Sequence, residues 1–172
     1  MSMRALVWIV EDTWQATVAE AAAYLPADAE VTLLHVADTA TEGVARAARF
    51  GLLGRPPAAR ADEDSLRAIS EQAAEDLLAD AQRALGRPAR CEARRGRVER
   101  EVVAAADAVD ILILARDGDR QHLGPRSLGP AARFVVDHAP CRVLLLWPDA
   151  APSLTTIPPP PDRPPPPGAP PH

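Results

Sequence analysis

The chain contains no lysine, few aromatic side chains, two cysteines and no long apolar run. All 19 basic residues are arginine, so a phosphoryl-transfer site that depends on a lysine is excluded. Cys91 and Cys141 are too few for a disulfide framework and lack the spacing of metal ligands. No stretch approaches the roughly 20 apolar residues of a membrane-spanning helix, and Glu11 and Asp12 interrupt the first apolar run, which is unlike a signal peptide. We therefore expect a cytoplasmic chain without a membrane segment, a disulfide or a metal site.

The chain is mildly acidic, with a formal net charge of −5, and aromatic residues make up 3% of it. Such a charge gives no long-range attraction for nucleic acid or for an anionic lipid surface. One basic cluster lies between residues 90 and 100, and no aromatic side chains interleave with it to stack bases. We interpret this cluster as the solvated surface of an edge strand, so a nucleic-acid partner is not expected. Its members are Arg90, Arg94, Arg95, Arg97 and Arg100.

Proline divides the chain into two parts. The runs Pro158–Pro161 and Pro164–Pro167 follow a longer part of ordinary composition. We predict one α/β domain over residues 1–147 and a disordered tail over residues 148–172, extended as polyproline II. The P-x-x-P spacings of the tail suit an aromatic groove on a partner protein. We prefer the interpretation as a flexible tail without a specific partner, because low-complexity tails of this kind are more common than specific ligands.

The hydrophobic pattern predicts five strands separated by helices. Four of the strands are nearly continuous aliphatic runs, which is typical of strands covered on both faces of a sheet. The remaining strand is polar and alternating, as an edge strand is. The predicted strands are Ala5–Val10, Val31–Val36, Ala89–Arg95, Ile111–Ala115 and Val143–Trp147, and the predicted helices are Thr13–Leu25, Glu63–Leu85, Val98–Ala108 and Leu128–His138. This alternation predicts a parallel sheet with helices on both faces, whose ligands bind beyond the carboxyl ends of the strands, where the strand order reverses.

The apolar spacing in two of these helices predicts which side faces the sheet. In Thr13–Leu25, the predicted buried face carries Val18, Ala22 and Leu25. In Glu63–Leu85, apolar residues recur at steps of three and four along the helix, which predicts one continuous buried face. The residues of that face are Leu66, Ile69, Ala73, Leu77, Ala81 and Leu85.

Four stretches of the chain, in their order and spacing, resemble the universal stress protein family. They are the strand and turn Leu6–Thr13, the strand Val31–Val36 with its closing His-Val, the helix start Arg95-Gly-Arg-Val98 leading into Val109–Leu114, and the loop Gly118–Gly129 followed by Asp137-His-Ala-Pro-Cys141 and Val143–Leu146. The resemblance covers nearly all of the predicted domain. It implies a single doubly wound, Rossmann-like sheet of five parallel strands in the order 3-2-1-4-5. It also implies a homodimer through the last strand, here residues 143–147.

Many members of this family bind ATP, with magnesium, through a Gly-x-x-Gly-(nine residues)-Gly-Ser/Thr loop after the fourth strand. In this chain, Ala115 replaces the first glycine and Pro130 replaces the hydroxyl residue. Ten residues rather than nine separate Gly118 from Gly129. Alanine resists close approach of a phosphate to the backbone, and proline lacks the N–H that would bind a phosphate oxygen. We therefore expect weak or absent ATP binding.

The resemblance assigns further candidate contacts for a nucleotide. Glu11 matches an acidic residue that contacts the nucleotide, and Val36 matches a valine whose backbone contacts adenine. Thr13 matches a hydroxyl position, although a role as helix N-cap explains it equally well. Positive charge and a hydroxyl in the loop leave capacity for an anion near the start of the last helix. These groups belong to Arg116, Arg120, Arg126 and Ser127.

No nucleophile elbow, P-loop lysine or serine triad is visible in the sequence, so no catalytic residue is assigned. His35 ends a predicted buried strand without a visible partner for catalysis, and we interpret it as a hydrogen-bonded core histidine. The leading hypothesis is a non-catalytic binding or regulatory module with weak or absent ATP binding. Two alternatives stay open: an ATP-binding member with slow or no hydrolysis, and a scaffold that recruits a partner through its proline-rich tail.

Overall fold

The computed structural model describes residues 2–39 and 58–160, and of residues 58–63 the backbone alone. Within these ranges, five strands alternate with four helices. The strands are β1 (Arg4–Trp8), β2 (Glu30–Asp38), β3 (Arg90–Gly96), β4 (Ile111–Ala115) and β5 (Arg142–Leu146), and the helices are α1 (Trp14–Tyr24), α2 (Ala58–Leu85), α3 (Val98–Ala106) and α4 (Pro130–His138). Two short 3₁₀ turns, Pro125–Ser127 and Leu154–Thr156, precede α4 and follow β5. The five predicted strands are confirmed, each with bounds within two residues of those expected.

All five strands are parallel and form one sheet in the order β3-β2-β1-β4-β5. At the centre of the sheet, Val7 of β1 pairs with Leu33 of β2 and with Ile113 of β4. The chain moves outward from β1 to β3 and then returns to the other side of β1, so the strand order reverses between β1 and β4. The predicted order 3-2-1-4-5 is confirmed, and so is the placement of the polar strand at an edge.

Helices cover both faces of the sheet. On one face, the inward-pointing residues of β1, β2 and β4 pack against Val18 of α1 and Leu78 of α2. On the other face, the alternate residues of the same strands pack against Val102 of α3 and Val135 of α4. Successive residues of a strand point to opposite faces, and here both faces are core. The continuous aliphatic runs of the central strands follow from this arrangement.

The predicted buried face of α2 is wrong in the first half of the helix and also at Ala73, which is exposed. Leu66 and Ile69 are 50% and 65% exposed. The helix has 28 residues and is therefore about 42 Å long, which exceeds the length of the strands beneath it. Among the side chains of α2 that the structure describes, the buried ones lie in its C-terminal half; they are Ala74, Leu78, Ala81 and Leu85. In the part of the chain that the structure describes, no helix combines the length and the apolar character needed to cross a membrane.

The buried face of α1 is also shifted from the prediction. Val18 and Leu25 are buried as expected, but Ala22 is exposed and Ala21 is buried in its place. Ala21 and Ala22 each lie three or four residues from both Val18 and Leu25, so either of them fits one helical face with these two residues. The two faces differ by one residue, and in the structure Ala21 belongs to the same core cluster as Leu78 of α2.

Both cysteines and His35 lie in or directly beside strands of the sheet. Cys91 in β3 and Cys141 directly before β5 are free cysteines and lie at opposite edges of the sheet. Cys91 is exposed, and its thiol donates to Gln82 Oε1 at 3.2 Å. Partial desolvation raises the pKa of Cys91. His35 is partly buried and its Nδ1 lies 3.0 Å from the carbonyl oxygen of Ile9, so its interpretation as a hydrogen-bonded histidine is confirmed.

Candidate functional site

The carboxyl ends of β1, β2 and β4 lie side by side, and together they form the edge of the sheet at which ligands are expected. The strand order reverses there, between β1 and β4. After β1 the chain turns towards α1 on one face, and after β4 it turns towards α4 on the other face. The two connections diverge, which is the arrangement that opens a ligand crevice in doubly wound sheets. The predicted residues Glu11, Val36 and Ala115 lie at or just beyond the ends of these strands. The structure therefore brings these three candidates to a common edge.

The turn after β1 is held by its own backbone. The carbonyl oxygen of Val10 accepts the N–H groups of Thr13 at 3.0 Å and of Trp14 at 2.9 Å. Thr13 occupies the N-cap position of α1, as one of the two interpretations predicted, but its hydroxyl makes no capping hydrogen bond. Glu11 presents its carboxylate to solvent at this edge, whereas the side chains of Thr13 and Val36 are enclosed.

The loop between β4 and α4 crosses itself as a narrow hairpin. The N–H of Gly118 donates to the carbonyl oxygen of Ser127 at 3.0 Å, and the N–H of Asp119 donates to that of Arg126 at 2.8 Å. A Cβ atom on Gly118 would lie 2.2 Å from the Arg126 oxygen, so the crossing requires a residue without a side chain. Further along, Gly124 has a φ of +133°, which L side chains rarely adopt. Both glycines thus serve the loop's own backbone contacts.

Ser127 and Arg116 bind each other beneath this crossing. The Ser127 side chain is fully buried; its hydroxyl donates to the carbonyl oxygen of Gly124 at 2.7 Å and accepts from Arg116 Nη1. The guanidinium of Arg116 lies over the ring of Trp147, 4.7 Å from its centroid. The Ser127 hydroxyl and the Arg116 guanidinium, both predicted to contact an anion, therefore bind within the protein. The N–H at Arg116 Nε is buried and has no hydrogen-bond partner among the described residues.

The start of α4 is already occupied by a carboxylate from the same loop. Gly129, which caps α4, donates its N–H to Asp117 Oδ1 at 2.7 Å. Pro130 is the first helical residue and has no N–H. The partial positive charge at a helix N-terminus favours an anion there, and Asp117 supplies one. Asp117 was not among the predicted residues, although an acidic residue directly after a strand, in a loop that returns to a helix start, is the signal that points to it.

The outer part of the loop is polar and open to solvent. Asp119 accepts the N–H of Gln121 at 2.8 Å and contacts His122 Nδ1 at 2.9 Å. The hydrogen bond from the Gln121 backbone, followed by that from His122, lowers the pKa of Asp119. The predicted anion contact Arg126 is exposed beside the start of α4. Within residues 2–39 and 58–160, no group of three His, Cys, Asp or Glu side chains is arranged to hold a metal ion.

An open cavity of about 440 Å³ adjoins the loop at this edge. It lies between the end of β2 at Asp38, the start of α3 at Arg97 and the start of α4 at Pro130, with Phe134 on one side. Both charged and apolar side chains line it, as is usual for small-molecule sites. The edge therefore has room for a small ligand beside α4.

The first part of the predicted tail lies against the loop. We call residues 148–160 the C-terminal segment. Arg120 of the loop forms an ion pair with Asp149, with 3.5 Å between Nη1 and Oδ2. The N–H of Leu123 donates to Thr156 Oγ1 at 3.0 Å. Two residues of the loop, including the predicted anion contact Arg120, are therefore engaged by the C-terminal segment.

The structure differs from the expectation of a disordered tail that begins at residue 148. The C-terminal segment contains a 3₁₀ turn and makes the contacts just described. The sequence pattern missed them because proline content alone does not show which polar side chains between the prolines find partners. The remaining tail, residues 161–172, lies outside the described residues, and the domain boundary at residue 147 stays a prediction.

The basic cluster around β3 is paired with nearby carboxylates. Arg94 lies 2.7 Å from Glu92 and 3.5 Å from Glu101. Arg97 lies 2.9 Å from Glu99. These carboxylates offset part of the positive charge, which supports the interpretation of the cluster as the surface of an edge strand. That nucleic acid is not a partner stays a prediction.

The fold and this edge together define a doubly wound parallel α/β protein with a glycine-bearing loop between its fourth strand and its last helix. The family model described as the universal stress protein family matches residues 1–146. The chain belongs to that family, which confirms the resemblance seen in the sequence.

Solved structures of similar fold agree with this assignment. The universal stress protein UspA from Lactobacillus plantarum is 21% identical, with a TM-score of 0.57 over 84% of this chain and 97% of that chain. The hypothetical protein MJ0577 is 19% identical, with a TM-score of 0.60 over 86% and 96% of the two chains. A universal stress protein in complex with cAMP is 13% identical, with a TM-score of 0.53 over 86% and 98%. At these identities the likeness establishes the fold. No curated protein is similar enough in sequence to count as a relative.

Proposed function

We propose that this chain is a non-catalytic binding or regulatory module of the universal stress protein family, with weak or absent affinity for ATP. The observation that carries the proposal is the 2.7 Å hydrogen bond from the Gly129 N–H to the Asp117 carboxylate. A triphosphate at the start of α4 would need backbone donors and a positive potential there. Asp117 engages one donor and adds a negative charge, and Pro130 removes another donor.

Other groups of the loop support the same proposal. The Ser127 hydroxyl is bonded to Gly124 and Arg116, so it would leave both partners to reach a phosphate. Arg120 is paired with Asp149. Each buried hydrogen bond that a ligand displaces costs about 0.5–1.5 kcal/mol. These costs subtract from the free energy of binding.

The absence of catalysis is proposed on the character of the titratable groups at this edge. His122 and Asp119 form a histidine–carboxylate pair, but the side chain of His122 is 61% exposed. A general base of this kind gains its effect in a site that excludes water and positions a nucleophile. The outer loop offers neither feature among the described residues, so we assign a binding role.

Isothermal titration calorimetry with ATP and magnesium tests the proposal. We expect the wild type to bind with a Kd weaker than about 1 mM. The Asp117→Asn variant is expected to bind about two- to fivefold more tightly, because removing a charge from a helix N-terminus changes the energy by about 0.3–1 kcal/mol. The control Asp107→Asn, at the C-terminal cap of α3, is expected to match the wild type. Micromolar affinity of the wild type would contradict the proposal.

An ATP-binding member with slow or no hydrolysis is the second candidate, and two observations favour it. The buried Nε of Arg116 is an N–H donor without a partner among the described residues, and it lies directly after β4. A universal stress protein of similar fold has been solved in complex with cAMP. Micromolar binding of ATP with magnesium, abolished by Gly129→Asp, would support this candidate over the first.

We further propose a homodimer that forms through β5. Among the strands that the structure describes, β5 has one neighbour, β4. Arg142 and Leu146, at its two ends, bond to backbone groups that flank β4. Because hydrogen-bonding groups alternate along a strand, those of Val143 and Leu145 point away from the sheet. Pairing with a second copy would satisfy them and cover a row of half-buried aliphatic side chains.

A scaffold that recruits a partner through its C-terminal part is a third candidate. The exposed side chains of Leu154 and Ile157, at 76% and 56%, favour it, since exposed apolar surface is typical of interaction sites. The scaffold candidate would be excluded if a Leu154→Ser, Ile157→Ser variant co-purified with the same proteins as the wild type.

The unpaired Cys91 and Cys141 fit a reducing compartment, so we place each of these candidates in the cytoplasm.

A further inference from the structure

The C-terminal segment touches the loop at the middle of the loop, residues 120–124. The two ends of the loop are held to each other, because Gly118 and Asp119 donate to the carbonyl oxygens of Ser127 and Arg126. The middle residues project beyond this crossing, and several of them are exposed. Contacts from outside the loop therefore matter most at its middle.

The principal contact is the hydroxyl of Thr156. Its Oγ1 donates to the carbonyl oxygen of Ser153 at 2.7 Å and accepts the N–H of Leu123 at 3.0 Å. The first bond fixes the hydroxyl within the 3₁₀ turn, and Ser153 caps the same turn by accepting the N–H of Thr155 at 3.3 Å. The acceptor that receives the Leu123 N–H is thus held in place by the turn itself.

Two weaker contacts lie on either side of Thr156 along the chain. Before it, Asp149 forms the ion pair with Arg120 across 3.5 Å, and both side chains are partly in solvent. After it, the ring of Pro158 lies over the bare backbone of Gly124, with 3.7 Å between its Cδ and the position of a Cβ. Exposed ion pairs contribute little on their own, so the Thr156 hydroxyl is the contact to test first.

We propose that the C-terminal segment is a strap. Its docking on residues 120–124 holds the cross-loop hydrogen bonds of Gly118 and Asp119 closed, and its release opens the loop. The strap thereby links the state of the C-terminal segment to access at the start of α4. This inference concerns the backbone of the loop, so it stands or falls separately from ATP binding.

Residue-resolved amide hydrogen exchange on the full chain tests the strap with Thr156→Val. Valine keeps the shape of the side chain and removes the hydroxyl. We expect the Leu123 amide to exchange about fivefold faster, the effect of one lost hydrogen bond. The Gly118 and Asp119 amides are also expected to exchange faster, although their own acceptors are unchanged. Thr155→Val is the matched control, because the Thr155 hydroxyl bonds to Ser153 within the segment, and all three amides should keep wild-type rates.

The indirect effect on Gly118 and Asp119 separates a strap from a local contact. Acceleration confined to Leu123, or no acceleration at any of the three amides, would overturn the proposal. An unchanged thermal midpoint verifies that Thr156→Val is folded. Asp149→Asn is the second variant; it weakens the ion pair to Arg120 and should accelerate the same three amides to a smaller extent. If Thr156→Val fails to fold, wild-type exchange rates of the same three amides in Asp149→Asn would also overturn the proposal.

Discussion

Gly118 is the residue on which the path of the loop depends most directly. An alanine there would place its methyl group 2.2 Å from the Arg126 carbonyl oxygen and 2.8 Å from the Ser127 carbonyl carbon. The two crossing segments would have to separate, so we expect Gly118→Ala to lower the free energy of unfolding by about 1–3 kcal/mol. Urea denaturation followed by circular dichroism measures this change. The control Asp119→Ala removes outer contacts of the loop without adding atoms and should change stability by less than about 0.5 kcal/mol.

A Gly118→Ala variant as stable as the wild type would contradict the close contact between the two ends of the loop.

The sequence indicated that the loop and its glycines were important, but it did not show their role. Ser127 was expected to offer its hydroxyl to a ligand, and the structure places that hydroxyl on Arg116 and Gly124. Hydrogen bonds inside a loop depend on its path in three dimensions, and residue spacing alone does not specify that path.

At the scale of elements, the buried side chains recorded for α2 all lie in its C-terminal half. Leu78 is 3% exposed and packs in the core, whereas Leu66 is 50% exposed on the same helix. We expect Leu78→Ala to lower the free energy of unfolding by about 2–5 kcal/mol, since it leaves a cavity. Leu66→Ala is the matched control and should change it by less than about 0.5 kcal/mol. Comparable losses in chemical denaturation would show that α2 packs along its whole length.

The strands were predicted more accurately than the buried faces of the helices. A strand covered on both faces must be aliphatic at nearly every position, so Ile111–Ala115 was recognised with its observed bounds. A helix face is defined by spacings of three and four, which two neighbouring stripes satisfy equally. The stripe through Ala73 and Leu77 was preferred to the stripe through Ala74 and Leu78, which the structure buries more deeply. Packing partners, which lie far away in the sequence, settle that choice.

At the scale of the whole molecule, the proposed dimer predicts that a proline in β5 prevents dimerisation but leaves the protein folded. In Leu145→Pro, the N–H that points away from the sheet is lost, while the bonds of Arg142 and Leu146 to groups flanking β4 are retained. We expect sedimentation velocity to show a dimer for the wild type and a monomer for the variant. Circular dichroism checks that the variant is folded. A wild type that stays monomeric at high micromolar concentration would contradict the dimer.

The arrangement of the whole molecule was accessible from the sequence because two independent signals agreed. Alternating strands and helices imply a parallel sheet, and the resemblance to universal stress proteins implied the order in which its strands lie. The contacts of the C-terminal segment were not accessible in this way. They join Arg120 to Asp149 and Leu123 to Thr156, and nothing in the spacing of these residues indicates that they meet.

The two ends of the described chain lie at opposite ends of the parallel strands. β1 begins at Arg4, whereas the C-terminal segment follows the carboxyl end of β5 and rests on the loop. A purification tag, a fluorescent fusion or a sensor attachment placed directly after residue 160 would therefore lie beside the segment that contacts the loop. At the amino-terminal side the same attachment stays a five-residue strand away, about 17 Å. The two ends of the described residues are therefore not equivalent positions for a fusion.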